Sequence, residues 1–184
     1  MNGLVIAGLI GLGYLFLGKK TPDPTKDPNA KESDLIDIQA NKYMPIVKKF
    51  AKIHSIPWKG VMALMYASTG YGATYYYKQG YPWGQNRFGI MGMRGEDFDY
   101  IKGILKSNLT QESRSNPEIS IEYACAFIKI INAKYNEDNT IATRYYLGLE
   151  AASNSGKGDI LSVSDFVNIY TSELSRLQTK YPNE

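Results

Sequence analysis

The sequence predicts an all-α globular domain carried behind a single N-terminal membrane helix. Three observations carry that expectation. Residues 3–18 form an apolar run without a single charge. Apolar residues then recur at helical spacing through most of the chain beyond residue 33. No stretch alternates apolar and polar residues strongly enough to specify a sheet. The expected organisation is an anchor over 1–20, a proline-rich tether over 21–32 and a helical domain over 33–184.

Each element follows from its residues. The apolar run, Gly3 to Gly18, would span roughly 24 Å as a helix, short of the ~30 Å hydrocarbon core that a locally thinned bilayer can accommodate. Lys19 and Lys20 follow this run rather than precede it, and no small-residue cleavage site comes after. That order argues for an uncleaved single-pass anchor over a signal peptide. Thr21 to Lys31 contains three prolines, which block helix and favour an extended spacer.

Ser33 or Asp34 is placed to cap a first helix. Pro45 fits the first turn of a separate one running to His54, with Ile46, Val47, Phe50, Ala51 and Ile53 as its apolar face. Pro57 opens a helix that is apolar nearly all round, from Val61 to Met65, as a central core helix is. A short helix is expected over 96–105 and a long one over 117–135. The long one carries Ile121, Ala124, Cys125, Ile128 and Ile131 on one stripe. Another is expected over 140–147, and a last one capped by Ser164, with Phe166, Val167, Ile169, Tyr170, Leu174 and Leu177 at helical spacing. Residues 71–93, rich in glycine and tyrosine, read as a long loop or small hairpin. Loops of that length in a small domain are usually functional.

Composition excludes several function classes. The net charge of +3 is small and its lysines are scattered, so no nucleic-acid partner is expected. One cysteine, Cys125, rules out an intramolecular disulfide, and its apolar neighbours mark it as a buried thiol. One histidine, His54, is too few for a His/Cys zinc site, so neither metal nor cofactor is expected; the residue reads as a cation on a helix C-terminus or a packing residue.

Four short motifs carry the functional reading: Ser68-Thr69-Gly70-Tyr71, Gly89-Ile90-Met91-Gly92-Met93, Asn116-Pro117-Glu118-Ile119-Ser120-Ile121, and Ile141-Ala142-Thr143-Arg144-Tyr145-Tyr146-Leu147-Gly148. In order and approximate spacing they resemble the motifs of the lysozyme-like superfamily of soluble lytic transglycosylases and goose-type lysozymes. There the corresponding patterns are Glu-Ser-Gly-aromatic, Gly-Leu-Met-Gln, Asn-Pro-x-x-Asn-Ile and Ala-x-x-x-Tyr-Asn-x-Gly. The resemblance covers roughly Tyr43 to Leu149 and departs from the family at four polar positions. Ser68 stands for the catalytic glutamate, Gly92 for the glutamine, Ser120 for the second asparagine and Tyr146 for the last asparagine.

What the resemblance implies is a cleft for peptidoglycan or another glycan, with Ser68, Thr69, Gly89, Met91, Tyr145 and Tyr146 as its lining. The family glutamate protonates the glycosidic oxygen and then serves as base. A serine hydroxyl is far too weak an acid for that role, and losing general acid help costs roughly 10²–10⁴-fold. Glu96 is the candidate for a displaced acid, although Glu96 and Asp97 are better read as first-turn residues that complement a helix dipole. The resulting expectation is a peptidoglycan-associated protein of a phage or virion membrane or a bacterial envelope, with degenerate or absent glycosidase activity. The rivals are an active lytic transglycosylase using Glu96, and a virion structural protein that reuses the fold to assemble with other virion proteins.

Overall fold

The computed structural model describes residues 32–72, 87–135, 138–148 and 162–184. Residues 1–31, which hold the expected anchor and all of the expected tether but Glu32, lie outside the described residues, as do 73–86 of the expected 71–93 loop. Among the described residues, no helix is long and apolar enough to cross a membrane.

The described chain is helical with one small hairpin. Helix α1 spans Glu32–His54 and α2 spans Trp58–Thr69. Strands β1 (Arg87–Phe88) and β2 (Met93–Arg94) pair antiparallel, Phe88 opposite Met93. Then come α3 (Gly95–Leu105), a 3-10 turn (Gln111–Ser115), α4 (Pro117–Lys134), α5 (Asp138–Leu147) and α6 (Val163–Lys180).

Helix α2 is the centre. Val61, Met62, Ala63, Leu64 and Met65 are all buried, as the continuous apolar run predicts, with α1, α4 and α6 packed around them. Each large side chain so buried contributes about 1.5–3 kcal/mol. Pro57 takes the N-cap in extended backbone, and Gly70 closes the helix in the left-handed region (φ 56°), its N–H donating to the Tyr66 carbonyl at 2.7 Å. The stripe of α4 expected from the sequence is buried throughout. Its cap is Asn116, whose Oδ1 accepts from the N–H groups of Glu118 (2.9 Å) and Ile119 (3.4 Å) ahead of Pro117 at the first helical position.

Three local expectations are corrected. Pro45 does not begin a helix; it lies inside α1, which is already under way at Ser33 and Asp34. Ala40, Tyr43, Met44, Val47, Phe50 and Ala51 form one buried stripe that runs past it. Burying that stripe outweighs the roughly 3 kcal/mol that an interior proline costs. Pro45 itself faces solvent, where water can satisfy the carbonyl it leaves unbonded. Ile53, assigned to the apolar face of that segment, is 61% exposed because it falls on the outer side of the helix. Ser162, rather than Ser164, caps α6: its Oγ accepts from the Asp165 N–H at 3.1 Å, leaving Ser164 within the helix.

Candidate functional site

The loop between β1 and β2 is a four-residue turn, Gly89 to Gly92, closed by the Gly92 N–H donating to the Gly89 carbonyl at 3.0 Å. Both glycines have positive φ, 78° and 57°. Gly89 is required for space as well: a Cβ there would lie 2.2 Å from the Arg114 carbonyl oxygen and 2.7 Å from Ser120 Oγ. Ile90 and Met91 point into the core and are fully buried.

This turn is where the four motifs meet. Thr69, the last residue of α2, donates from its hydroxyl to the Ile90 carbonyl at 2.7 Å, with the Met65 carbonyl at 3.1 Å as the alternative acceptor. The same oxygen accepts from the Gly72 N–H at 3.2 Å. Ser120 Oγ on α4 accepts from the Met91 N–H at 3.2 Å. Tyr145 on α5 donates from its hydroxyl to the Met91 carbonyl at 2.8 Å. Side chains from three distant helices thus satisfy the buried backbone of one turn, as backbone removed from water requires.

Two buried arginines complete the frame. Arg87 (3% exposed) donates to the Gly92 carbonyl at 3.4 Å and to the Tyr146 carbonyl, and its guanidinium lies 4.3 Å from the centre of the Tyr146 ring. Arg114 donates to the Met93 carbonyl at 2.9 Å and the Gln111 carbonyl at 3.1 Å, and burial lowers its pKa. Burial likewise pushes the Tyr145 hydroxyl well above the usual phenol range, so it stays a proton donor to Met91. Sequence reasoning missed both arginines as structural members. The available signal was Arg87 lying directly ahead of the Phe88-Gly89 motif.

The six residues assigned to a cleft lining are thereby brought together, and Ser68, Thr69, Gly89, Met91, Tyr145 and Tyr146 are all buried. Ser68 stands directly under the turn: a Cβ on Gly92 would be 3.0 Å from the Ser68 Cβ. Glu96 has a different environment. Its side chain is 70% exposed and pairs with Arg94 Nε at 3.2 Å, so it stands in solvent rather than at the buried end of α2. Its neighbour Asp97 is the buried one, in the first turn of α3 and facing Gly148, where a Cβ would lie 3.2 Å from its Oδ1. The glycine that ends the fourth motif is therefore held by crowding against Asp97 as well as by its φ of 91°.

A second polar network fastens the end of α2 from the far side. Glu173 on α6, 4% exposed, accepts from the Tyr71 hydroxyl and from Arg176 at Nε and Nη2, both 2.7 Å. Arg176 also donates to Asp37 on α1 at 2.7 Å, and Lys180 reaches the other oxygen of Asp37. Burial opposes the charge on Asp37, but Lys180 and Arg176 hold its pKa below the usual carboxylate range. Tyr71 itself has a positive φ of 56°, uncommon for a residue with a large side chain, and this network is what pins it there. Cys125 is buried as expected, its thiol pushed up to about 12 by desolvation. His54 ends α1 with its pKa lowered by burial and by Lys129, so it is neutral at pH 7 and packs rather than acting as a cation on the helix end.

No family model matches the chain. The chain is similar to proteins named membrane-bound lytic murein transglycosylase C. It is 24% identical to the one from Histophilus somni (strain 2336) over 153 residues, covering 81% of this chain and 40% of that protein. It is 27% identical to the one from Actinobacillus pleuropneumoniae serotype 5b (strain L20) over 138 residues, 71% of this chain and 35% of that protein. The chain thus spans about two fifths or less of the length of these curated relatives.

Proposed function

We propose that this protein is a membrane-anchored, lysozyme-like protein of a cell envelope or a phage particle that engages murein without cleaving it efficiently. The observation that carries the reading is the pairing of Ser68 with Gly92. Where the resembled family sets a glutamate and a glutamine, two residues without an acid or an amide face each other beneath the turn. The similarity to proteins named lytic murein transglycosylases supports murein as the partner. The hydrogen-bonded meeting of all four motifs supports a retained architecture. The exposure of Glu96 speaks against its use as a displaced acid. Residues 3–18 supply the anchor in this reading.

The test uses the full chain in detergent micelles with purified murein sacculi. Co-sedimentation measures binding, and chromatography of the supernatant measures released anhydro-muropeptides. Binding without release is the expected result. Release abolished by Glu96→Gln would establish an active enzyme with a displaced acid. Failure to bind would remove the glycan partner and leave an assembly role.

A further inference from the structure

The exposed face of α1 carries a pattern that its core packing does not need. Ile38, Lys42, Pro45, Lys49, Lys52 and Ile53 are all exposed. At 100° per residue these six fall within an arc of about 100°, over a length of roughly 22 Å. The opposite side, with Tyr43, Val47, Phe50 and Ala51, is buried. Between Ile38 and Ile53 the outer stripe therefore holds three lysines and no acid, bracketed by two isoleucines that are 49% and 61% exposed. It belongs to a longer bias: from Ile38 to Gly95 the sequence contains no Asp or Glu and eight cations, Lys42, Lys48, Lys49, Lys52, Lys59, Lys78, Arg87 and Arg94.

Charges facing the stripe from the neighbouring helix are few. Glu118 of α4 pairs with Lys49 at 2.6 Å, and both side chains are more than half exposed. Such a pair costs little to exchange for another anion. Glu122 and Lys129 of α4 act on His54 beyond the C-terminal end of the stripe. Lys42 and Lys49 lay their chains beside the rings of Tyr43 and Phe50, 5.0 and 4.6 Å from ammonium to ring centre, so their heads stay in solvent.

We infer that this stripe is a docking face for an anionic lipid bilayer, with α1 lying along the headgroup layer. Lysines flanked by exposed aliphatic side chains are the composition of an interfacial helix face. A soluble polyanion would give the two isoleucines nothing to bury against. The chain order favours the bilayer too. Helix α1 begins at Glu32, and the 13 residues from 19 to 31 reach at most about 45 Å from the apolar run over 3–18. This part of the argument rests on the reading of 3–18 as a membrane anchor. Docking through α1 sets the domain's orientation on the membrane instead of leaving it to swing on its tether.

The full chain is reconstituted into vesicles of phosphatidylcholine alone, or with about one third phosphatidylglycerol. An environment-sensitive fluorophore is placed on exposed Asn41→Cys at the edge of the stripe, with Ser175→Cys on the exposed side of α6 as control; Cys125 is buried and does not label. The expected result is a blue shift at position 41 that needs the anionic lipid, with none at 175. In the triple variant Lys42→Gln/Lys49→Gln/Lys52→Gln the docked fraction falls, by about fivefold in its equilibrium constant for each lysine. Equal signals in both vesicles, or a shift that survives the triple substitution, overturn the proposal. A shift produced by free polyphosphate but not by vesicles overturns it in favour of a soluble polyanion. Loss of sacculus co-sedimentation in the triple variant overturns it in favour of a wall-binding face. A chain that fails to float with neutral vesicles overturns the anchor reading alone, since the docking face is read from position 41 in the anionic vesicles. One that floats but shows no response at position 41 removes the docking face alone.

Discussion

Ser68 and Gly92 face each other closely enough that a methyl group on Gly92 would crowd the Ser68 Cβ at 3.0 Å. Two small residues at this point allow the β1–β2 turn to settle directly onto the C-terminal end of α2. A side chain on Gly92 would therefore meet the end of α2.

Introducing a carboxyl at position 68 tests the proposed murein-engaging reading. Ser68→Glu is expected to raise anhydro-muropeptide release at least 10²-fold over the wild-type chain, the lower range of general acid help. Because Ser68 is 6% exposed, the larger side chain also overpacks its surroundings and lowers stability by about 1–3 kcal/mol. Chromatography of sacculus digests and thermal melting read the two effects. A folded variant that releases nothing would show that the cleft has lost more than its acid.

Gly89 holds the most constrained backbone position described. Gly89→Ala places a Cβ at 2.2 Å from the Arg114 carbonyl oxygen and at a φ of 78°. We expect a loss of about 3–4 kcal/mol in urea unfolding, beyond the usual cost of a single substitution. A loss under 1 kcal/mol would mean that the turn relaxes freely and that its role as a meeting point is overstated.

Glu173 joins α6 to Tyr71 and, through Arg176, to Asp37 on α1. Glu173→Ala leaves the Tyr71 hydroxyl without its acceptor and Arg176 without its fork partner. Removing one member of a buried ion pair costs about 3–5 kcal/mol, and the partial exposure of Arg176 favours the lower end. Denaturant melts measure the loss, and sacculus binding should weaken with it because Tyr71 closes the end of α2.

His54 gives a pH dependence of known sign. Its pKa is lower in the folded chain than the ordinary 6.5, through burial and Lys129. The unfolded chain therefore binds the proton more readily. Stability is fully present above pH 6.5 and is lost as pH falls from there toward the folded value. Since His54 is the sole histidine, His54→Gln should flatten the fall in melting temperature between pH 7.5 and 5.5. An unchanged slope in the variant would overturn the assignment to His54, because the depressed pKa of Asp37 gives stability that is lost only below its ordinary 3.8, outside this window.

Much of the helical scheme is legible in the residues themselves. The all-apolar run Val61 to Met65, the Asn116-Pro117 start of α4 and the Gly70 stop of α2 are local signals, and local backbone physics obeys them. The signals that misled were local too. Pro45 looked like a beginning because the sequence does not display the buried stripe that carries α1 past it. Ser164 looked like a cap because it is a serine ahead of an apolar stripe, yet the position of Asp165 gives that role to Ser162.

By itself, then, the sequence determined the helices, the four ordered motifs, the absence of a carboxyl at position 68 and the acid-free span from Ile38 to Gly95. Tertiary structure alone decided what those residues do for one another. It set Thr69, Ser120 and Tyr145 on a single turn, sealed Arg87 and Arg114 behind it, left Glu96 in solvent, and turned Lys42, Lys49 and Lys52 outward together. The physical reason is that helix formation is governed by near neighbours along the chain. Burial, hydrogen-bond partnership and the exposure of a charge are instead set by which distant segments remove water from one another.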